Sequence, residues 1–365
     1  MTDRRTLLKA AAAAPLLPAR AFAQDKRRFE PEPGAWRTFD VTLAVAVADP
    51  QGGCRVWLPL PDIATDFQRT LGNDWSGNAQ TVRIAADPAS DVRMLYAEFA
   101  PGVAAPALQV TTRVQTRGRA VDWTKPVAAK EDPALLRECL QATEWIPTDG
   151  IVRQTALDAT KGARSDVDKV RAIYGWVVAT AHREPKVRGC GSGDVKALLE
   201  SGNFGGKCAD LNALFVGLCR SVGVPARDLY GVRLAPSAFG YRELGANSAS
   251  LKGAQHCRAE VFLKQHGWVA MDPADVLKVM RQETPEWIKD PAHPLVAPVN
   301  RALFGRWEGN WLAYNGGHDV RLPGSAGKTT IPFLMYPQGE NASGRFDELA
   351  PDAFKYTIAA REVAA

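Results

Sequence analysis

The chain has 365 residues, 46% of them hydrophobic, enough for one large domain or two modest ones with a packed core. Of its formal net charge of +5, a leader carrying Arg4, Arg5, Lys9 and Arg20 against Asp3 accounts for most, leaving about +2 on the remainder. A near-neutral body without a long Lys/Arg block gives no electrostatic footing for nucleic acid, which is excluded as the expected partner.

The leader reads MTDRRTLLKAAAAAPLLPARAFA. A twin arginine, a weakly hydrophobic Ala/Leu run and the small-x-small site Ala21-Phe22-Ala23 resemble a bacterial twin-arginine export signal. Residues 1–23 are therefore expected to be removed and the mature protein to be periplasmic or otherwise exported. Pro15 and Pro18 interrupt the apolar run, which falls short of the ~20 residues that span a bilayer. No transmembrane segment is expected in the mature chain.

After a charged linker (24–35), residues 36–121 are β-rich. Phe39, Val41, Leu43, Val45 and Val47 alternate along one face of a half-buried strand. Further strands are expected at 55–60, 79–84, 92–99 and 108–116, and their spacing predicts a β-sandwich-like domain. From 122 to 149 the chain is punctuated by proline, with a short helix near 133–143. Ser165 then caps a helix whose apolar stripe is Val167, Val170, Ile173, Tyr174 and Val177. A glycine-rich loop at 189–194 and a helical turn at 195–200 lead to the stretch GGKCADLNALFVGLCRSVGVPAR.

There Leu211, Leu214, Phe215, Leu218 and Val222 form the buried stripe of a helix that Gly223 and Pro225 end. Cys219, beside that stripe, reads as a small core residue. Strands follow at 228–234, 256–263 and 268–271, the last two joined by a hairpin turn over Lys264-Gln265-His266-Gly267. A helix followed by an antiparallel sheet predicts an α+β core over 122–290. The Pro/Gly-rich, aromatic stretch 291–365 is expected to pack back on that core as irregular strands, with Trp307, Trp311 and Tyr314 read as packing residues.

Cys208 stands at the head of the apolar helix, where unpaired N–H groups and the helix dipole favour a thiolate. Gly205 and Gly206 permit close approach of a carbonyl to the backbone, and nearby N–H groups suit a developing oxyanion. A nucleophilic cysteine needs a base and an orienter for that base. His256 heads one strand of the hairpin and Asp272 ends the next, so antiparallel pairing is expected to make them neighbours.

Three blocks carry a family resemblance: Gly206, Cys208 and Asp210 with the helix and its Gly-Val-Pro-Ala-Arg close; His256 heading a strand; and Gly267, Trp268, Val269, Asp272 and Pro273. Together they resemble the transglutaminase-like core of the papain-related cysteine enzymes. The resemblance covers about 165–280 and implies an α+β papain-like fold, with the helix bearing the cysteine packed on an antiparallel sheet. It implies Cys208 as nucleophile, His256 as base and Asp272 as orienter, with no metal and no cofactor. The implied activity is acyl transfer on peptide or side-chain amides of a peptide, protein or cell-wall peptide substrate, with hydrolysis favoured over cross-linking. A non-catalytic peptide- or cell-wall-binding module on the same fold is the rival reading. The chain departs from many relatives in having His256-Cys257-Arg258 in place of His-Ala-Trp.

The six cysteines, Cys54, Cys139, Cys190, Cys208, Cys219 and Cys257, contain no CxxC and define no disulfide framework. Cys190 and Cys257 are open to a disulfide, to free thiols, or to a zinc shared with Cys208 and His256. Asp210 reads as a first-turn acid on the helix dipole, Trp268 as core, and His318-Asp319 as a solvated turn in preference to a second acid–base pair.

Overall fold

The computed structural model describes residues 27–61, 63–90, 92–327 and 329–364. The expected signal at 1–23 and the first residues of the 24–35 linker lie outside them.

Seven strands open the described chain: β1 (Arg37–Val47), β2 (Cys54–Pro59), β3 (Gln68–Gly77), β4 (Thr81–Ala86), β5 (Arg93–Phe99), β6 (Ala107–Thr116) and β7 (Arg119–Ala120). The core region holds α1 (Pro133–Glu138), α2 (Gly150–Ala159), α3 (Asp166–Thr180), β8 (His182–Arg183), α4 (Val195–Glu200), β9 (Gly205–Gly206) and α5 (Cys208–Ser221). It continues through β10 (Ala226–Arg233), β11 (Gln255–Leu263), β12 (Gly267–Met271), α6 (Pro273–Gln282) and α7 (Ala297–Ala302). The C-terminal strands are β13 (Arg306–Trp307), β14 (Trp311–Asn315), β15 (Gln338–Asn341), β16 (Gly344–Arg345) and β17 (Phe354–Val363).

The alternation in β1 has the expected result: Phe39, Val41, Leu43, Val45 and Val47 are all buried. β1 lies inside a sheet of order β17-β1-β6-β3, and β2 and β5 inside a second of order β16-β15-β2-β5-β4. Both are antiparallel, and their inward residues, Val41 and Val110 from one and Val56 and Leu95 from the other, belong to one apolar cluster. This is the sandwich-like region. Strand β3 escapes the apolar-pattern reading because Gln-Arg-Thr-Leu-Gly-Asn-Asp-Trp-Ser-Gly buries only Gln68. It is an edge strand held by backbone pairing to β6, with a register shift between Thr70 and Gly72. At Gly77 a Cβ would meet the Ala107 carbonyl at 2.4 Å, so that close approach requires glycine.

The stretch from 291 onward is shared between the two regions instead of lying on the core alone. β14 joins β10 in the core sheet, β15 pairs with β2, and β17 pairs with β1 from Thr38 to Val47. The core sheet has the order β12-β11-β10-β14 and is antiparallel throughout. Helix α5 packs on β10 and β11 and is ringed by α2, α3, α4 and α6, so all of its residues are buried. The cysteine-bearing helix on an antiparallel sheet is the expected α+β architecture, and it centres the molecule on the head of α5.

Candidate active site

Cys208 is the first residue of α5, preceded by Lys207 in extended backbone (φ −110°, ψ −167°). The Asp210 carboxylate turns back and accepts from the N–H of Lys207 (2.9 Å), Ser192 (2.9 Å) and Gly193 (3.0 Å). Asp210 thus fastens the 189–194 loop to the helix head, a larger task than the dipole role expected of it. Gly191, at φ +92°, accepts no side chain, since its Cβ would stand 1.9 Å from Asp210 Oδ2. The Ala209 N–H donates to the Cys190 carbonyl at 2.9 Å, completing the clamp. On the other side β8 pairs in parallel with β9, which sets Arg183 beside Gly206.

His256 and Asp272 do meet, though the hairpin alone does not bring them together. The β11–β12 register runs from Leu263↔Gly267 to Ala259↔Met271 and ends three residues short of His256. The gap closes because Asp272 leaves the strand and caps α6, accepting from the Asp275 N–H through Oδ1 at 3.1 Å. Its Oδ2 then lies 2.8 Å from His256 Nε2. Nδ1 is left free of the Asp272 carboxylate, and the imidazole stands close enough to Cys208 to favour its thiolate. Cys208 and His256 are each only 3% exposed and Asp272 is fully buried.

Four further residues support this arrangement and were missed by sequence reasoning. Asn212, one turn along α5 from Cys208, donates to the Cys257 carbonyl (2.9 Å) and to Asp272 Oδ1 (3.3 Å), and accepts from the Ala274 N–H (3.4 Å). It links the helix, the strand and α6 through one buried amide. Asp275 brings a second carboxylate to 3.4 Å from His256 Nε2, and its other oxygen holds the buried Arg233 at 2.5 Å. Arg258 lies 3.6 Å from Asp272 and stacks over Trp311, with its centre 4.7 Å from the ring. The signals were spacings: four residues after Cys208, three after Asp272, and two after His256 on the same strand face.

The electrostatics favour a thiolate–imidazolium pair. Burial and Arg233 push the His256 pKa down, but Asp275 and Asp272 outweigh them and raise it to about 9. The neighbouring thiols of Cys190 and Cys257, with His256, hold Cys208 well below the usual thiol range despite its burial. Burial raises Asp272, and Asp275 adds to it; against its own burial, Asp275 is held well below the carboxylate range by Arg233 and His256. Ligand atoms of His256, Asp272 and Asp275 lie within 4.8 Å of one another, a spacing that suits a metal ion. Arg233 and Arg258, however, already supply cationic partners to both carboxylates.

All six cysteines are free and buried. Cys190 and Cys257 flank Cys208, with the Cys190 thiol donating to the Gln255 carbonyl (3.3 Å) and that of Cys257 to Met335 Sδ (4.0 Å). Cys219 is core, as read. Trp307 and Trp311 pack and also donate, to the carbonyls of Met271 (3.2 Å) and His256 (3.0 Å). Trp268 is half-buried beneath Arg227 instead of in the core. His318 is no solvated turn residue: its Nδ1 meets Tyr230 Oη at 3.1 Å and its Nε2 lies 3.8 Å from the buried Asp228. Asp319 points elsewhere, accepting from the Glu144 N–H.

A cysteine, a histidine and an aspartate gathered between a helix head and an antiparallel sheet define the class. Residues 153–273 match the family model of the transglutaminase-like superfamily. Over 327 residues the chain is 31% identical to an uncharacterized protein of Haemophilus influenzae, spanning 86% of this chain and 87% of that one. A candidate cysteine protease of Cytophaga hutchinsonii shares the fold at 13% identity, with 90% of this chain and 99% of that chain covered and a TM-score of 0.50. The periplasmic domain of TgpA from Pseudomonas aeruginosa matches at 16% identity over 70% of this chain and 92% of its own, with a TM-score of 0.35. The chain belongs to the transglutaminase-like superfamily. Among the described residues no helix is long and apolar enough to cross a membrane.

Proposed function

We propose that the protein is an exported, cysteine-dependent acyl-transfer enzyme acting on amides of peptide or protein substrates, cell-wall peptides among them, with water as the usual acceptor. One observation carries the reading: the buried imidazole of His256 has a thiol at one side and the Asp272 carboxylate, at 2.8 Å, at the other. A Cys208 thiolate attacks the amide carbonyl, forming the C–S bond and an oxyanion that the backbone N–H of Cys208 at the head of α5 stabilises. The His256 imidazolium gives its proton to the leaving amine as the C–N bond breaks, leaving a thioester. The neutral imidazole then takes a proton from water, which attacks the thioester and returns the thiolate. Asp272 holds the ring with Nε2–H toward itself and offsets the positive charge.

The order of charge states supports this scheme, since it stores the proton on the base before substrate arrives. The twin-arginine-like leader supports export. The test is the rate of iodoacetamide alkylation at each cysteine against pH, read by peptide mass spectrometry on the native chain and on His256→Ala. Fast labelling of Cys208 well below the free-thiol pKa of about 8.5, lost in the variant, is the expected result. Slow labelling of Cys208 at every pH, indifferent to His256, would leave the non-catalytic binding module as the better account.

A further inference from the structure

The acyl-transfer scheme uses one thiol of the three that meet at the head of α5. The thiols of Cys190 and Cys257 are close enough to Cys208 to bias its charge state, and the Cys190 carbonyl accepts from the N–H of Ala209, the residue after Cys208. Their settings differ. Cys257 lies within β11, paired to Tyr230 of β10, with its carbonyl held by Asn212 and its thiol directed at Met335. Its backbone is therefore fixed on both sides, and only rotation of the side chain can move that sulfur. Cys190 lies on a loop between Gly189 (φ +57°) and Gly191 (φ +92°), two residues whose backbone freedom is greatest. The loop is fastened to α5 on its far side through Asp210, and the Cys190 carbonyl accepts from the Ala209 N–H at 2.9 Å. That bond ties the Cys190 backbone to the residue that follows Cys208, so the two cysteines are neighbours across the helix head. The Cys190 thiol donates to the Gln255 carbonyl at 3.3 Å, a weak bond that its sulfur can give up.

We propose that Cys190 is the resolving thiol of Cys208, so that attack by a hydroperoxide ends in a Cys190–Cys208 disulfide that silences the nucleophile reversibly. The inference rests on the reading of Cys208 as a reactive thiolate. The Cys208 sulfur attacks the terminal peroxide oxygen; the S–O bond forms, the O–O bond breaks, and the leaving oxygen departs with a solvent proton. Cys190 sulfur then attacks the sulfenic sulfur, the S–S bond forms, and hydroxide leaves with the proton that Cys190 gives up. With hydrogen peroxide the balance is two thiols and one peroxide to one disulfide and two waters. A dithiol reductant restores both thiols by exchange. The second thiol protects the nucleophile because a sulfenic acid left alone proceeds to sulfinic acid, which simple thiols do not reverse.

The experiment treats the reduced full chain with one to five equivalents of hydrogen peroxide, blocks remaining thiols, and maps linked peptides by mass spectrometry without reduction. The expected product is a Cys190–Cys208 link in the native chain and in Cys257→Ser, with Cys208 alkylation lost in step and regained in dithiothreitol. In Cys190→Ser and Cys190→Ala the link is absent, and Cys208 gains two oxygens that dithiothreitol does not remove. A Cys208–Cys257 link, or sulfinic acid at Cys208 in the native chain, overturns the proposal. Alkylation of the untreated protein is scored separately. A Cys208 no faster than Cys54 there counts against the nucleophile, while the peptide map judges the partner.

Discussion

Charged pairs in the sandwich and in the core sheet look alike on paper and differ in consequence. In the sandwich Asp40 is bracketed by Arg113 and Arg361, both more than half exposed, on the outer face of β1 and its neighbours. In the core sheet Arg233 meets Asp275, and Arg258 meets Asp272, with all four side chains at most 3% exposed. The first kind is solvated, screened and contributes little. The second kind is held in a low-dielectric interior, where removing one partner strands the other. The sandwich carries its arginines into solvent on one face, while the core uses its charges to fix a histidine.

The sharpest way to break this comparison is at the site itself. Asp272→Asn keeps the shape of the side chain but not its charge, and turnover on an amide substrate is expected to fall on the order of 10⁴-fold, as for other triads that lose their carboxylate. Steady-state kinetics on the folded variant read this, and a loss under tenfold would remove Asp272 from the role of orienter.

Next comes stability. Arg233→Ala takes from the buried Asp275 its closest cationic partner and is expected to cost about 3–5 kcal/mol. Arg113→Ala, on the sandwich, is expected to cost less than about 1 kcal/mol. Urea denaturation of the two variants side by side checks the contrast, and equal costs would refute it.

A smaller effect concerns Asp228, which is fully buried in β10 with neither carboxylate oxygen hydrogen-bonded. Burial raises its pKa to about 8, with the Cys208 charge adding to it and Arg220 opposing. The unfolded carboxyl ionises near 3.9. Between these values only the unfolded chain has lost its proton, so the fold grows less stable as pH rises from about 4 toward 8. Asp228→Asn has no such titration. Its stability relative to the native chain should therefore improve by about 3–4 kcal/mol between pH 5 and pH 8 in paired denaturation curves.

The mildest change is a shift in a pH profile. Because His256 is raised to about 9, amide turnover should hold to that pH and fall above it, where the imidazolium proton is lost. Asp275→Asn removes the larger of the two charges that raise it, so the falling limb should move to lower pH while the acidic limb stays. An unmoved limb would assign the second carboxylate to Arg233 alone.

Strands with one dry face were legible because their period shows in the residues, as in β1 and β6. The helix stripe after Cys208 was legible for the same reason. Strand β11 was harder, since all nine of its residues are buried and Cys257, Ala259 and Val261 alternate with His256, Arg258 and Glu260. A charged residue in such a strand reads as solvent-facing until the partner that buries it is known. Strand β3 was illegible because an edge strand needs only backbone pairing, which carries no side-chain pattern.

By itself the sequence determined the local elements with a clear period, the thiol at a helix head, and the order cysteine, histidine, aspartate. These follow from hydrophobic spacing and from chemistry borne by single residues. Only the tertiary structure decided that Asp272 reaches His256 by capping α6, that Asn212 and Asp275 join it, and that three thiols share one buried space. Those relations run between residues up to 67 positions apart, from Cys190 to Cys257. Sheet register and helix packing bring such residues together, and neither is written in any local stretch of the chain.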